Sequence, residues 1–199
     1  MDIKIFLRDK SKEVVEAWQK IFSNDKNVNI SCGDILDIEA DAIISPANSF
    51  GFMDGGIDRV YLDYFGYQLQ DRLQKKIRNE FYGELPVGMA TIIDTNYNYN
   101  NIKYLVSCPT MRVPEIVANT ANAYLAFRAG LISILEFNIN NNNSIESVLC
   151  PGMGTLTGCM SPETCARQMK FAYEQIVIKK TKSHDDLWLT AMNHHSFIK

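Results

Sequence analysis

Two glycine-bearing stretches in this 199-residue chain combine residue types and spacing that could do chemistry. The first reads Ser45-Pro46-Ala47-Asn48-Ser49-Phe50-Gly51-Phe52-Met53-Asp54-Gly55-Gly56-Ile57-Asp58, and the second Pro151-Gly152-Met153-Gly154-Thr155-Leu156-Thr157-Gly158. Each follows a short apolar run and precedes a stretch of helical period. Lacking a Cβ, glycine lets backbone N–H groups approach an anion, and a helix N-terminus adds partial positive charge. Two such loops facing each other would hold a diphosphate from both sides. Neither has the Gly-Lys-Ser/Thr ending of a P-loop or the GxGxxG spacing of a dinucleotide fold, which demotes ATP hydrolysis and ordinary Rossmann cofactor binding. Taken singly, the glycines also suit tight turns between strands and helices.

Other candidates are weaker. Arg112, between Pro109 and Pro114, is either a cation for a phosphate or a ribose or a solvated charge on a rigid turn. His184, His194 and His195 gather near the C-terminus, but adjacent histidines have no partner at helical spacing, so no metal site is expected. The five cysteines include no CxxC pair, which fits neither a disulfide framework nor a zinc knuckle. They are expected to be reduced, and those ending apolar runs to be inert packing residues.

The elements that must position these loops alternate between short β-branched runs and longer helical periods, the pattern of a sheet covered by helices. Strands are expected over residues 3–7, 28–32, 42–45, 89–93, 104–108, 147–150 and 187–191, and helices over 12–22, 57–79, 117–136 and 162–179. The expected fold class is α/β, a three-layer α/β/α arrangement around a central mixed sheet of about six or seven strands. In the last helix Ser161 offers an N-cap, Pro162 suits the first position, and Glu163 complements the dipole. Its apolar stripe is Ala166, Met169, Tyr173, Ile176 and Val177. In the third helix Ala121, Leu125, Ile132 and Leu135 trace one face. The Asn-rich segments 96–101 and 138–144 are expected to be loops.

Composition limits the function classes. Hydrophobic residues at 46% and charged residues at 22% suit one soluble domain over residues 1–199. A net charge of −3 argues against nucleic-acid binding by phosphate neutralisation. The most apolar stretch, residues 124–137, is interrupted by Arg128 and is too short to span a membrane. The N-terminal run lacks the features of a secretory signal, and a cytoplasmic location is expected.

In order along the chain, four pieces resemble macro domains. Gly33-Asp34-Ile35 after a strand resembles that family's GD-I/L motif, and Ala42 to Ser49 resembles a strand ending in V-N-A-A-N-S. Gly55-Gly56-Ile57-Asp58 resembles the end of its glycine run, and Gly152 to Gly158 its second phosphate loop. The likeness covers about residues 28–195. It implies that Asp34 and Ile35 meet adenine, with Phe197 or His194 as a stacking face, and that Asn48 meets the distal ribose. Gly55, Gly56 and Ile57 would face Gly152, Gly154, Thr155, Leu156, Thr157 and Gly158 across the diphosphate.

Asp58, ten residues after Asn48, matches the acidic residue that some members use in hydrolysis. It could orient or deprotonate water or stabilise positive charge at the distal ribose. Asp34 also suits a turn, and Asp58 also suits the first turn of a helix. The resemblance therefore implies a domain that binds ADP-ribose or an ADP-ribosylated substrate without cofactor or metal. Its activity would be hydrolysis of an ADP-ribosyl conjugate or of ADP-ribose 1″-phosphate. A non-catalytic sensor of ADP-ribose or another NAD-derived nucleotide is the alternative. Two departures bear on the choice: Ser45-Pro46 replaces the first Asn of the pattern, and Asp54 stands where glycine usually continues. A carboxylate there weakens diphosphate binding unless it points outward or pairs with Arg59 or Arg112.

Overall fold

A computed structural model of the protein describes residues 3–96, 102–142, 145–179 and 186–198. Its strands are β1 (Lys4–Asp9), β2 (Val28–Cys32), β3 (Ala42–Ser45), β4 (Thr91–Asp94), β5 (Tyr104–Ser107) and β6 (Ser147–Cys150). They form one sheet in the order β2-β1-β6-β3-β5-β4. All neighbours are parallel except β4, which runs antiparallel to β5 at the edge. All four residues of β3 are buried, as expected for a central parallel strand covered on both faces. The carboxyl ends of β1, β3, β5 and β6 thus point the same way, and the loops after them gather at one edge.

The helices are α1 (Lys12–Ile21), α2 (Gly56–Phe65), α3 (Gln68–Glu80), α4 (Asn122–Asn140), α5 (Pro162–Ile176) and α6 (Leu187–Phe197). On one face α1, α4 and α5 bury Trp18, Phe127, Met169 and Tyr173 against Ile5, Leu7, Ile44, Val106 and Val148. The other face packs Tyr61, Leu69 and Leu73 of α2 and α3 on Ile43, Leu105 and Leu149. Each such side chain contributes about 1.5–3 kcal/mol by leaving water. At the head of α5 the Ser161 hydroxyl accepts from the Thr164 amide at 3.1 Å, and four of the five expected stripe residues are buried.

Several expected elements differ. The second long helix is two helices, because Gly66 takes φ 91, a left-handed conformation that ends α2. Residues 187–191 are helix, not strand: the Asp186 carboxylate accepts from the amides of Trp188 at 2.8 Å and Leu189 at 3.4 Å, an N-cap. A short apolar run does not by itself distinguish the two states. The third helix starts at Asn122, since Val117 is drawn toward the second glycine loop by a bond from its amide to the Gly158 carbonyl at 2.8 Å. Its core face is Ala123, Ala126, Phe127, Leu131 and Ile134, one step round from the expected face, and Leu125 is exposed. It also runs on through Asn138, Ile139 and Asn140, which were expected to be loop. Residues 97–101, 143–144 and 180–185, with His184, lie outside the described residues. Cys108, Cys150 and Cys165 are buried, whereas Cys32, at the end of the edge strand β2, and Cys159 are exposed.

Candidate functional site

At the carboxyl edge of the sheet lies a cleft of about 830 Å³, in the size range of small-molecule sites. It is walled by the turn after β2, the loop from β3 to α2, and the loop from β6 to α5. Among the residues singled out from sequence, Asp34, Ile35, Asn48, Gly55, Gly56, Ile57, Asp58, Gly152, Gly154, Thr155, Leu156, Thr157 and Gly158 all line it. Arg112 does not.

The two glycine loops are opposed: a Cβ built on Gly56 would lie 3.9 Å from the Thr157 hydroxyl. Gly56 (φ 56) and Gly154 (φ 73) take left-handed conformations that glycine adopts without steric cost. No protein acceptor among the described residues meets the amides of Gly56, Ile57, Thr155, Leu156 or Thr157. For Gly56 and Ile57 the reason is local, since the first amides of a helix have no intrahelical partner. These donors border the cleft from both sides, an arrangement suited to phosphate oxygens.

Side chains fix the loops. Asp9, at the end of β1, accepts from the Gly152 amide at 3.0 Å and the Ser11 amide at 2.9 Å, tying the second loop to the sheet. The Asn48 carboxamide closes the first loop on itself. Its Oδ1 accepts from the Phe50 and Phe52 amides at 3.1 and 3.2 Å, and its Nδ2 donates to the Phe52 carbonyl at 2.7 Å.

At the end of the cleft beside β2, Asp34 accepts from the Leu36 amide at 3.1 Å and pairs with Lys10 at 2.8 Å. The Lys10 hydrogen bond, followed by the Leu36 amide, holds this carboxyl below its ordinary value. Arg8 supports the same turn: its Nε donates to the Asp34 carbonyl at 2.7 Å and its Nη1 to the Ser31 hydroxyl at 2.8 Å.

Asp58 is the electrostatic exception. It is 7% exposed, and the Ser45 hydroxyl donates to its Oδ1 at 2.5 Å. Among the described residues no cation bonds it: Arg59 next to it pairs with Asp63 at 2.9 Å. Burial pushes the carboxyl up to about 7, with the Ser45 bond pulling the other way. A carboxyl that changes charge near neutral pH at a cleft wall is equipped to give or take a proton. This departs from a solvated carboxylate that merely complements the α2 dipole.

Three expectations about the surroundings are corrected. Arg112 grips Glu84 bidentately at 2.7 and 3.0 Å and lies over the Phe50 ring, so its charge is committed outside the cleft. Arg112→Ala is therefore expected to change affinity for a cleft ligand by less than about twofold in titration calorimetry, as for an exposed ion pair. Phe197 packs against Tyr124 and Phe171, and His194 is exposed on α6; neither reaches the cleft. Asp54 lines the cleft, while both arginines proposed to neutralise it are held by Asp63 and Glu84.

Sequence reasoning missed Arg8, Asp9 and Lys10, which line the cleft from the end of β1. The signal was available, because ligands bind outside the carboxyl ends of parallel strands and β1 is one of them. It also missed Phe52, Thr110 and Met111, which line it as well.

Fold and cleft together define a three-layer α/β domain with a preformed cleft at the carboxyl ends of its parallel strands. Residues 9–195 match the family described as a macro-like domain, and the chain belongs to that family. It is 29% identical over 143 residues to an uncharacterized protein of Aquifex aeolicus, a match covering 72% of this chain and 78% of that one. Its fold is similar to that of the macrodomain of Mycobacterium tuberculosis DarG, with TM-score 0.55 and 24% identity over 73% of this chain and 88% of that one. It is likewise similar to a variant macrodomain of Oceanobacillus iheyensis with ADPR, with TM-score 0.60 and 20% identity over 75% and 77% of the two chains. At these identities the likeness to solved structures is one of fold. No helix among the described residues is long and apolar enough to cross a membrane.

Proposed function

We propose that this macro-like domain binds ADP-ribose or an ADP-ribosylated substrate and hydrolyses the bond at the distal ribose. The observation that carries this reading is one cleft containing two opposed loops of unpaired amides and a buried Asp58 whose carboxyl burial pushes up to about 7. The diphosphate lies between Gly56-Ile57 and Thr155-Leu156-Thr157, and adenine lies toward Asp34, whose carboxylate accepts from its exocyclic amine. The distal ribose then falls near Asn48 and Asp58. Asp58 exchanges a proton with the attacking water or the leaving group, and a group half ionised near pH 7 is well matched to either task. The ADPR held by a similar fold in Oceanobacillus supports the choice of ligand.

A second reading, binding without turnover, is favoured by Asn48, whose carboxamide is committed to its own loop, and by Asp54, a cleft carboxylate whose neighbour Arg59 is ion-paired with Asp63. One experiment separates the two. The protein is titrated with ADP-ribose by calorimetry and incubated with ADP-ribosylated protein and with ADP-ribose 1″-phosphate. Binding with release of free ADP-ribose or phosphate supports the hydrolase; binding alone selects the sensor; no binding at millimolar ligand removes both.

A further inference from the structure

The replacement of the family's first Asn by Ser45 has a structural consequence at Asp58. Ser45 closes β3, is fully buried and does not line the cleft. Its hydroxyl donates to Asp58 Oδ1 at 2.5 Å, and no other protein group among the described residues bonds that carboxyl. Asp58 itself lines the cleft, and its Oδ2 bonds no protein group among the described residues, which leaves that oxygen for water or a cleft ligand. The two oxygens are thereby made unequal, one held by the sheet and one without a protein partner.

The geometry points to Ser45 as a positioning residue that anchors Asp58 through Oδ1 and confines its proton exchange to Oδ2, the oxygen left for water or a cleft ligand. The reason is valence. With the Ser45 O–H directed at Oδ1, the proton that Asp58 gains goes to Oδ2, and the proton it loses leaves from Oδ2. In the acid form Oδ2–H donates into the cleft; in the base form Oδ2 accepts from water, and in both forms Oδ1 keeps the Ser45 bond.

Among the described residues no other charge is placed to do this. On α2, Arg59 and Asp63 pair with each other and Tyr61 donates to the Ile44 carbonyl at 3.2 Å. After β5, the Cys108 thiol is raised by burial and then by Asp58, so it stays neutral. Asp9, at the end of β1, is engaged by the Gly152 and Ser11 amides. Tyr61 is likewise raised by burial and stays a neutral phenol.

The inference deepens the hydrolase reading and rests on it for its catalytic meaning, but its test has a readout independent of turnover. The side-chain carboxyl carbon of Asp58 is followed by NMR across pH in the full chain, in wild type, Ser45→Ala and Ser45→Thr. Loss of a hydrogen bond to the charged form raises the midpoint in Ser45→Ala by about one unit or more. Ser45→Thr, which keeps the hydroxyl, stays within about half a unit of wild type. The pH–rate profile for release of ADP-ribose shifts in the same direction in Ser45→Ala, whereas ADP-ribose affinity stays within about twofold. An unchanged Asp58 midpoint in a folded Ser45→Ala protein overturns the proposal. A shifted midpoint with no turnover even in wild type removes the hydrolase reading while leaving the Ser45 anchor standing.

Discussion

Asp58→Asn is expected to lower release of ADP-ribose from a conjugate by about 10²- to 10⁴-fold while leaving ADP-ribose affinity within a few-fold. Asparagine keeps the shape and still accepts the Ser45 hydrogen bond through Oδ1, but it cannot exchange a proton. The same substitution has an opposite effect on stability. Asp58 is pushed up to about 7 in the folded protein from an ordinary value of 3.8. Between those pH values the folded state holds a proton that the unfolded chain has lost, so stability falls as pH rises and levels off once Asp58 ionises in both states. At about 1.4 kcal/mol per unit, the loss is on the order of 4 kcal/mol. Asp58→Asn removes this term, so the fall in denaturant midpoint between about pH 5 and 8 should disappear, with the variant the more stable protein at pH 8. Unchanged turnover would take Asp58 out of the mechanism. A wild-type stability that does not fall across this range would contradict the raised value that burial gives its carboxyl.

Gly158→Ala is expected to weaken ADP-ribose binding by about 10²-fold, the scale of effect that a displacement of about 1 Å in a positioned group produces. A Cβ there would come within 2.6 Å of the Gly154 carbonyl oxygen and 2.5 Å of Val117 Cγ2. Neither can yield locally. The Gly154 carbonyl accepts from the Met160 amide at 3.0 Å, and Val117 is tied to the same turn through its bond to the Gly158 carbonyl at 2.8 Å. The turn that aims the Thr155, Leu156 and Thr157 amides must therefore move as a unit. The packing cost is about 1–3 kcal/mol, visible as a lower melting temperature. Wild-type affinity in this variant would mean that the second loop does not hold the ligand.

Much of the lining of the candidate cleft was legible because those residues cluster in order along the chain and sit at strand ends. Val28–Cys32, Ala42–Ser45 and Ser147–Cys150 fall where the apolar runs placed them, and the loops after them wall one cleft. What sequence could not supply was partnership. The commitment of Arg112 to Glu84, 28 positions away, depends on the path of a surface turn. Asn48 reads as a ribose contact, yet its amide is occupied four residues on, at the Phe52 carbonyl. The Ser45–Asp58 bond needs the register of β3 against the first turn of α2, which no local pattern encodes. Residues 187–191 were misread for a different reason: a short apolar run suits strand and helix alike, and the cap at Asp186 decides between them.

The most direct test of the cleft assignment is a crystal structure of the protein with ADP-ribose. The expected result places the diphosphate between the Gly56-Ile57 and Thr155-Thr157 amides, adenine beside Asp34, and the distal ribose within hydrogen-bond reach of Asp58 Oδ2. Nucleotide bound away from these loops, or a diphosphate contacting neither set of amides, would contradict it.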